Sequence, residues 1–206
     1  MYIVFEGMVG SGKSTQSKKL FEYLKATYPT RNIIHVREPG STIIAQEIRL
    51  LAQAREFDED MHPITEAYLY DAARAQLLNT VVKSTIDDGG IVIADRSFVS
   101  SLAYQGEARG LGFDMVMDIN KEAVGKVLPD LVFSMQIDID IALSRTFDAA
   151  GDKFEKLGRE FFEGVQRGYE KASKLPILEK AWRTIDSHGT QDEVFAKILA
   201  VLPENM

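Results

Sequence analysis

Apolar runs alternate along the chain with segments whose apolar residues recur at helical spacing. YIVFEG (2–7), NIIHVRE (32–38), GIVIADRS (90–97), LPDLVFSMQIDI (128–139) and WRTIDS (182–187) read as five strands, the first of them buried. KSTQSKKLFEYLKATY (13–28) carries apolar Leu20, Phe21 and Leu24 and reads as a helix, as do TIIAQEIRLLAQAR (42–55) and QDEVFAKILAVL (191–202). ITEAYLYDAARAQLLNTVVKSTI (64–86) is a long helix with so many apolar positions that at least two of its faces should be covered. His62-Pro63 starts it, DDGG (87–90) ends it, and PGS after the second strand is a turn. Strand, loop and helix in repeated order predict an α/β fold, a parallel sheet flanked by helices. Ligands of such sheets bind at the carboxyl ends of the strands. The distinctive polar residues fall at those ends: Gly7 to Thr15, Arg37-Glu38 and Asp95-Arg96.

Composition narrows the class. A chain of 206 residues fits one domain with a substantial core. The formal net charge of −7 argues against a general nucleic-acid binder, which needs a basic surface to displace counterions. There is no cysteine, so disulfide and thiolate chemistry are absent. No apolar run approaches the ~20 residues that span a bilayer, so no membrane association is expected. The strand pattern starts at once, without a basic leader, and the chain reads as cytoplasmic. His35, His62 and His188 are isolated in sequence and read as structural.

GMVGSGKS fits the phosphate-loop pattern G-x-x-x-x-G-K-[ST] through Gly7, Gly12, Lys13 and Ser14. Glycines let backbone N–H groups converge on an anion, and the next helix offers its positive end to the same phosphates. Lys13 suits the β- and γ-phosphates, and Ser14 suits Mg²⁺. The loop from Gly7 through Met8, Val9, Gly10, Ser11, Gly12 and Lys13 to Ser14 and Thr15 is therefore the expected ATP site. GTPases, ATPases and small-molecule kinases all use such a loop. No N-K-x-D base reader of the GTPase kind is present.

REPGST (37–42), LYDAAR (69–74), ADRSFVSSLAYQG (94–106), LPDLVFSMQIDIDIALSR (128–145) and EFFEGVQRGYEKAS (160–173) together resemble the ordered landmarks of the thymidylate kinase family. The resemblance runs from residue 3 to about residue 175. It implies a three-layer P-loop fold with a five-stranded parallel sheet, and transfer of the ATP γ-phosphoryl group to dTMP with Mg²⁺. Arg37 and Arg96 would hold the acceptor phosphate, for which the planar guanidinium fork is suited. Asp95 would help position Mg²⁺ with Ser14. Tyr70 would stack on the base and Arg74, one helical turn later, would reach a base carbonyl. Ser100, Ser101 and Gln105 lie in the segment that reads the base edge, and Tyr104 would sit under the sugar. Lys13, Arg37, Asp95 and Arg96 form the expected catalytic set.

A lid is implied at about residues 146–157, with Lys153 and Lys156 as donors and Arg145 at its base. The sequence departs from the family at Val9, where many members carry an acidic residue toward the acceptor's 3′-hydroxyl, and in the lid, where lysines stand for arginines. Slower transfer, or Arg145 in the missing arginine's role, and relaxed acceptor selectivity are the corresponding expectations. Another nucleoside monophosphate or a deoxynucleoside as acceptor, with Glu6 or Asp95 as base, is the alternative enzyme reading. A regulatory ATPase is the alternative of a different class. The resemblance also implies a homodimer packed through helices.

Overall fold

The apolar runs become strands because both faces of the sheet they form are covered. In the computed structural model, which describes residues 1–53, 59–147 and 158–203, β1 (Tyr2–Glu6), β2 (Ile33–Arg37), β3 (Ile91–Asp95), β4 (Leu131–Gln136) and β5 (Trp182–Asp186) form one sheet. The order is β2-β3-β1-β4-β5 and every pairing is parallel, as expected. One apolar cluster, with Ile3, Phe5, Leu20, Leu24, Ile91, Ile93, Phe133 and Ile185, seals one face. A larger one, with Val4, Val92, Ala94, Val132, Leu77, Leu102, Phe162 and Val165, seals the other. Alternate residues of each strand feed the two clusters, as the period of two demands.

The helices follow the sequence with instructive differences. α1 (Lys13–Thr27), α2 (Ile43–Gln53) and α9 (Gln191–Leu199) lie where the periodicity puts them, and α8 (Gly158–Ala172) lies where the resemblance implies a helix. The expected 64–86 helix is α3 (Pro63–Leu77), a widened π-helical segment (Leu78–Val82) and α4 (Lys83–Asp87) in continuous succession. His62 caps it by accepting from the Ile64 N–H, with Pro63 in the first turn. α3 packs on both α2 and α6, so two of its faces are covered. The sequence reading assigned no element to α5 (Phe98–Ser101), the π-helical Leu102–Ala108 or α6 (Phe113–Val124). α7 (Ile139–Phe147) was expected only through the resemblance.

Register brings the chemistry together. Asp95 is level with Phe5 on one side and with Arg37 on the other. The residues that follow, Glu6, Arg96 and Glu38, therefore stand at the same height. Their carboxyl-end loops border one cleft of about 950 Å³.

Candidate active site

The phosphate loop is closed by backbone contacts that only glycine tolerates. A Cβ at Gly10, where φ is +75°, would stand 2.2 Å from the Ala142 carbonyl oxygen. At Gly12 (φ +88°) the added atom would meet nothing within 4 Å, and the residue borders the cleft. Gly12 starts α1 without any side-chain cap, so the first N–H groups of the helix stay available to an anion. Lys13 is buried in this loop, where its Nζ donates to the Met8 carbonyl at 2.5 Å. Burial, then the Arg96 charge, lower its pKa to about 7.

Asp95 ends β3 beside it. Its Oδ2 accepts from the Ser14 hydroxyl at 2.5 Å and stands 3.9 Å from Arg37 Nε. Its Oδ1 is buried with no protein partner. Burial alone would raise this carboxyl, but Lys13, Arg96 and the Ser14 hydrogen bond outweigh it and hold the pKa below the ordinary range. A hydroxyl and an ionised carboxylate with one oxygen unspent are hard donors that suit Mg²⁺, which takes few protein ligands and keeps its waters. Among the described residues no group of three or more His, Cys, Asp or Glu is placed to hold a metal ion together.

Across the cleft stand Arg37 and Arg96. The Arg37 side chain is 55% exposed. Arg96 has φ +79°, a conformation unfavourable to any residue with a Cβ by about 1–2 kcal/mol, fixed by its N–H on the Phe5 carbonyl at 2.9 Å. Its Nη1 donates to Ser100 Oγ at 2.9 Å, with Gly7 O and Tyr169 OH each at 3.3 Å. Its guanidinium lies 5.1 Å from the Tyr104 ring centroid. Beneath it Glu6, wholly buried, accepts from Ser97 N and Oγ, both at 2.7 Å, and from Ser100 N at 3.2 Å through Oε1. Its Oε2 accepts from Ser100 Oγ at 2.6 Å and Tyr169 OH at 3.0 Å. The two hydroxyls thus link a buried anion to the arginine. Glu6 was expected only as an alternative base, and Ser97 and Tyr169, though inside the resembling segments, were given no role; a charged residue closing an apolar strand was the signal available.

Tyr70, Arg74, Ser100, Ser101, Tyr104 and Gln105 all border the cleft, but several side chains are committed differently from the sequence expectation. Arg74 is buried. Its Nε donates to Glu38 at 2.7 Å, Nη1 to Asn120, and Nη2 to Ser97 O at 3.1 Å and Ser101 Oγ at 3.2 Å. Four of its donor directions are therefore satisfied by the protein, and reaching a base carbonyl requires an exchange or the remaining Nη1 hydrogen. Ser100 is spent on Glu6 and Arg96 rather than aimed at a base edge. Gln105 donates to Glu66 at 2.7 Å. The Tyr104 hydroxyl accepts from Val9 N at 3.2 Å. Arg145 borders the cleft with Nη1 3.3 Å from Gly10 O. Lys153 and Lys156 lie outside the described residues. At the opposite end from Tyr70, the cleft is lined by Gln16, Ser187, Gly189, Thr190, Gln191 and Val194, none of which sequence reasoning singled out.

Comparison with known proteins places the whole chain in one family. The thymidylate kinase family profile matches residues 5–198. The thymidylate kinase of Thermosipho africanus is 38% identical over 206 residues, covering 100% of this chain and 99% of its own. That of Finegoldia magna is 39% identical over 204 residues, with 98% and 97% covered. The crystal structure of thymidylate kinase from Ehrlichia chaffeensis superposes with a TM-score of 0.78 at 28% identity, covering 98% of both chains. On the strength of the family match and these full-length relatives, the chain belongs to the thymidylate kinase family.

Proposed function

We propose that the enzyme transfers the γ-phosphoryl group of ATP to the phosphate of dTMP, with Lys13, Arg37, Asp95 and Arg96 as its working residues. The observation that carries this reading is a cleft with two anion-holding ends: a phosphate loop on one side, and Arg37 and Arg96 on the other. A hydrolase or regulatory ATPase has no need of the second. The nucleophile is an acceptor phosphate oxygen, already ionised at neutral pH, so the residues must offset anion repulsion and fix the line of attack. Lys13 and the α1 N-terminus hold the donor phosphates, and Arg37 and Arg96 hold the acceptor phosphate. Arg145, bonded to the loop at Gly10, is placed to add charge at the transfer point. Ser14 and Asp95 would hold Mg²⁺, which would supply charge neutralisation for the transfer. A deoxynucleoside acceptor would need a free base. Glu6 is not one, since both its oxygens are engaged in the core. A coupled ADP-release assay with ATP and Mg²⁺ tests the reading: dTMP supports turnover, and thymidine and the no-acceptor control do not. Equal ADP release in the no-acceptor control would overturn it.

Two further results are expected. Val9 has no side-chain polar atom and its N–H is on Tyr104, so nothing there rewards a 3′-hydroxyl. The 3′-deoxy analogue of dTMP should keep kcat/KM within about 3-fold of dTMP, because no neutral hydrogen bond is lost; a drop of more than about 10-fold would show one that is. Lys13, neutral above pH 7 in the free loop, regains its proton when phosphates arrive. Calorimetric titration with ATP in buffers of different ionisation heat should show uptake approaching about one proton near pH ~8, shrinking as pH falls below the Lys13 pKa. Absence of uptake at the higher pH contradicts this.

No helix among the described residues is long and apolar enough to cross a membrane. We place the enzyme in the cytoplasm as a homodimer. Ile43, Leu50 and Leu51 on α2, Tyr68 on α3 and Met115 on α6 are exposed on helices packed α2 to α3 to α6, a surface suited to a second copy. Sedimentation at micromolar concentration as a monomer would count against that assembly.

A further inference from the structure

The end of the cleft beyond the phosphate loop holds two buried polar atoms with no protein partner. Gln16 and Ser187 are each only 3% exposed, and both border the cleft. Gln16 Oε1 and Ser187 Oγ nevertheless lack a hydrogen bond. Buried polar atoms are rarely left unpaired, and on a ligand cleft the partner is a water, an ion or a group of the ligand that displaces it. The third such atom on this cleft is Asp95 Oδ1, at the Mg²⁺ position.

The Gln16 carboxamide is not free to turn. Its Nε2 donates to the Gln191 carbonyl at 2.8 Å. Rotated by half a turn, it would set its oxygen against that carbonyl, acceptor against acceptor. Oε1 is therefore a fixed acceptor. The residue directly follows Ser14 and Thr15 in the first turn of α1, on the donor side of the phosphates. The facing loop is equally fixed. Thr190 and Glu193 form a reciprocal cap on α9, and Gly189, at φ +110°, has no room for a Cβ, which would stand 2.7 Å from Glu193 Oε2. His188 bonds Asp186 at 2.5 Å and Asp138 at 3.3 Å from its two ring nitrogens. Buried Val194 offers an apolar surface in the same place.

We infer that Gln16 selects the base of the phosphoryl donor: its Oε1 accepts the exocyclic 6-amino group of adenine and rejects a purine with a carbonyl at that position. This rests on reading the phosphate loop as the donor site. Guanine and hypoxanthine would set a carbonyl oxygen against Oε1, leaving both unpaired. Ser187 Oγ can donate or accept, so it suits a ring nitrogen but cannot discriminate as Gln16 does.

ATP and ITP differ at the 6-position, amino against carbonyl, and at N1, which carries a hydrogen only in ITP; Ser187 Oγ, able to donate or accept, serves a ring nitrogen in either state. Equilibrium binding of each to the full chain, without dTMP, reads the inference independently of the acceptor. The parent should bind ATP about 10-fold more tightly than ITP, the scale of one buried hydrogen bond and its unpaired counterpart. Gln16→Met, which keeps length and bulk, should bring that ratio close to one, with an unchanged thermal midpoint showing that α1 is intact. Ser187→Ala should weaken both nucleotides without changing their ratio. A parent that binds both equally, or a Gln16→Met variant that keeps the parent's preference, overturns the inference. Failure of the dTMP reading would instead appear as ADP release without dTDP, with base selectivity intact.

Discussion

Exchange of Lys13 for methionine lowers turnover of dTMP by about 1,000-fold, the effect of removing a preorganised charge from a phosphoryl-transfer site, and does not lower the thermal midpoint of the free protein. The two halves of this result have one cause. Lys13 sits in a loop built for phosphates that are absent from the free protein, and burial brings its pKa from 10.5 to about 7. The unfolded chain therefore binds more protons than the folded one between those values, and folding stability rises with pH across that window. Equivalently, below pH 7 the full penalty for charging the buried amine is present, and it fades toward the ordinary lysine value. Methionine has no such penalty. The variant should melt at or above the parent's temperature at neutral pH, with the gap closing as pH approaches the ordinary lysine value. Calorimetry without nucleotide, beside steady-state kinetics, checks both. A midpoint lower by more than ~5 °C, which for a chain of this size is roughly 1–2 kcal/mol, would make Lys13 part of the framework rather than a residue held in reserve for ligand.

The phosphate loop, the arginine at each strand end and Asp95 were legible because each obeys a local rule: spacing in the loop, position at a carboxyl end, residue type suited to phosphate. The five strands were legible because sheet burial imposes continuous apolar runs. The stretch from Phe98 to Val124 was not assigned, although it contains two helices and a π-helical turn. Ser97 was given no role and Ser100 was expected to read a base edge; both are buried because Glu6, more than 90 residues away, supplies their partner. Arg74 shows the same limit from the other side. Its place on the helix put it at the cleft correctly, but its donors go to Glu38, Asn120, Ser97 and Ser101, which no helical spacing could have revealed. Residue type tells what a side chain can bind; only the fold tells what has already claimed it.

That distinction sets the second large effect, on Glu6. Replacing it with alanine strands two backbone N–H groups and leaves three hydroxyl contacts without their acceptor, all at the buried junction of β1, α5 and α8. Each unsatisfied donor in such a place costs about 1–3 kcal/mol. Some hydroxyls will find other partners, since Ser100 and Tyr169 already lie 3.0 Å apart. A net loss of about 4 kcal/mol therefore remains, lowering the midpoint of a chain this size by roughly 10 °C. Activity should fall as well, at temperatures where the variant is still folded, because Ser100 and Tyr169 hold the Arg96 guanidinium from below. Glu6→Gln keeps the shape and one acceptor oxygen, so it should lie between parent and alanine variant in both readouts. The contrast with Lys13 is the informative part: one substitution removes function and spares the fold, the other loosens the fold and takes function with it through Arg96. If Glu6→Ala melts within ~3 °C of the parent, the network does not hold the site together, and the orientation of Arg96 must come from its backbone at positive φ, the Gly7 carbonyl and Tyr104.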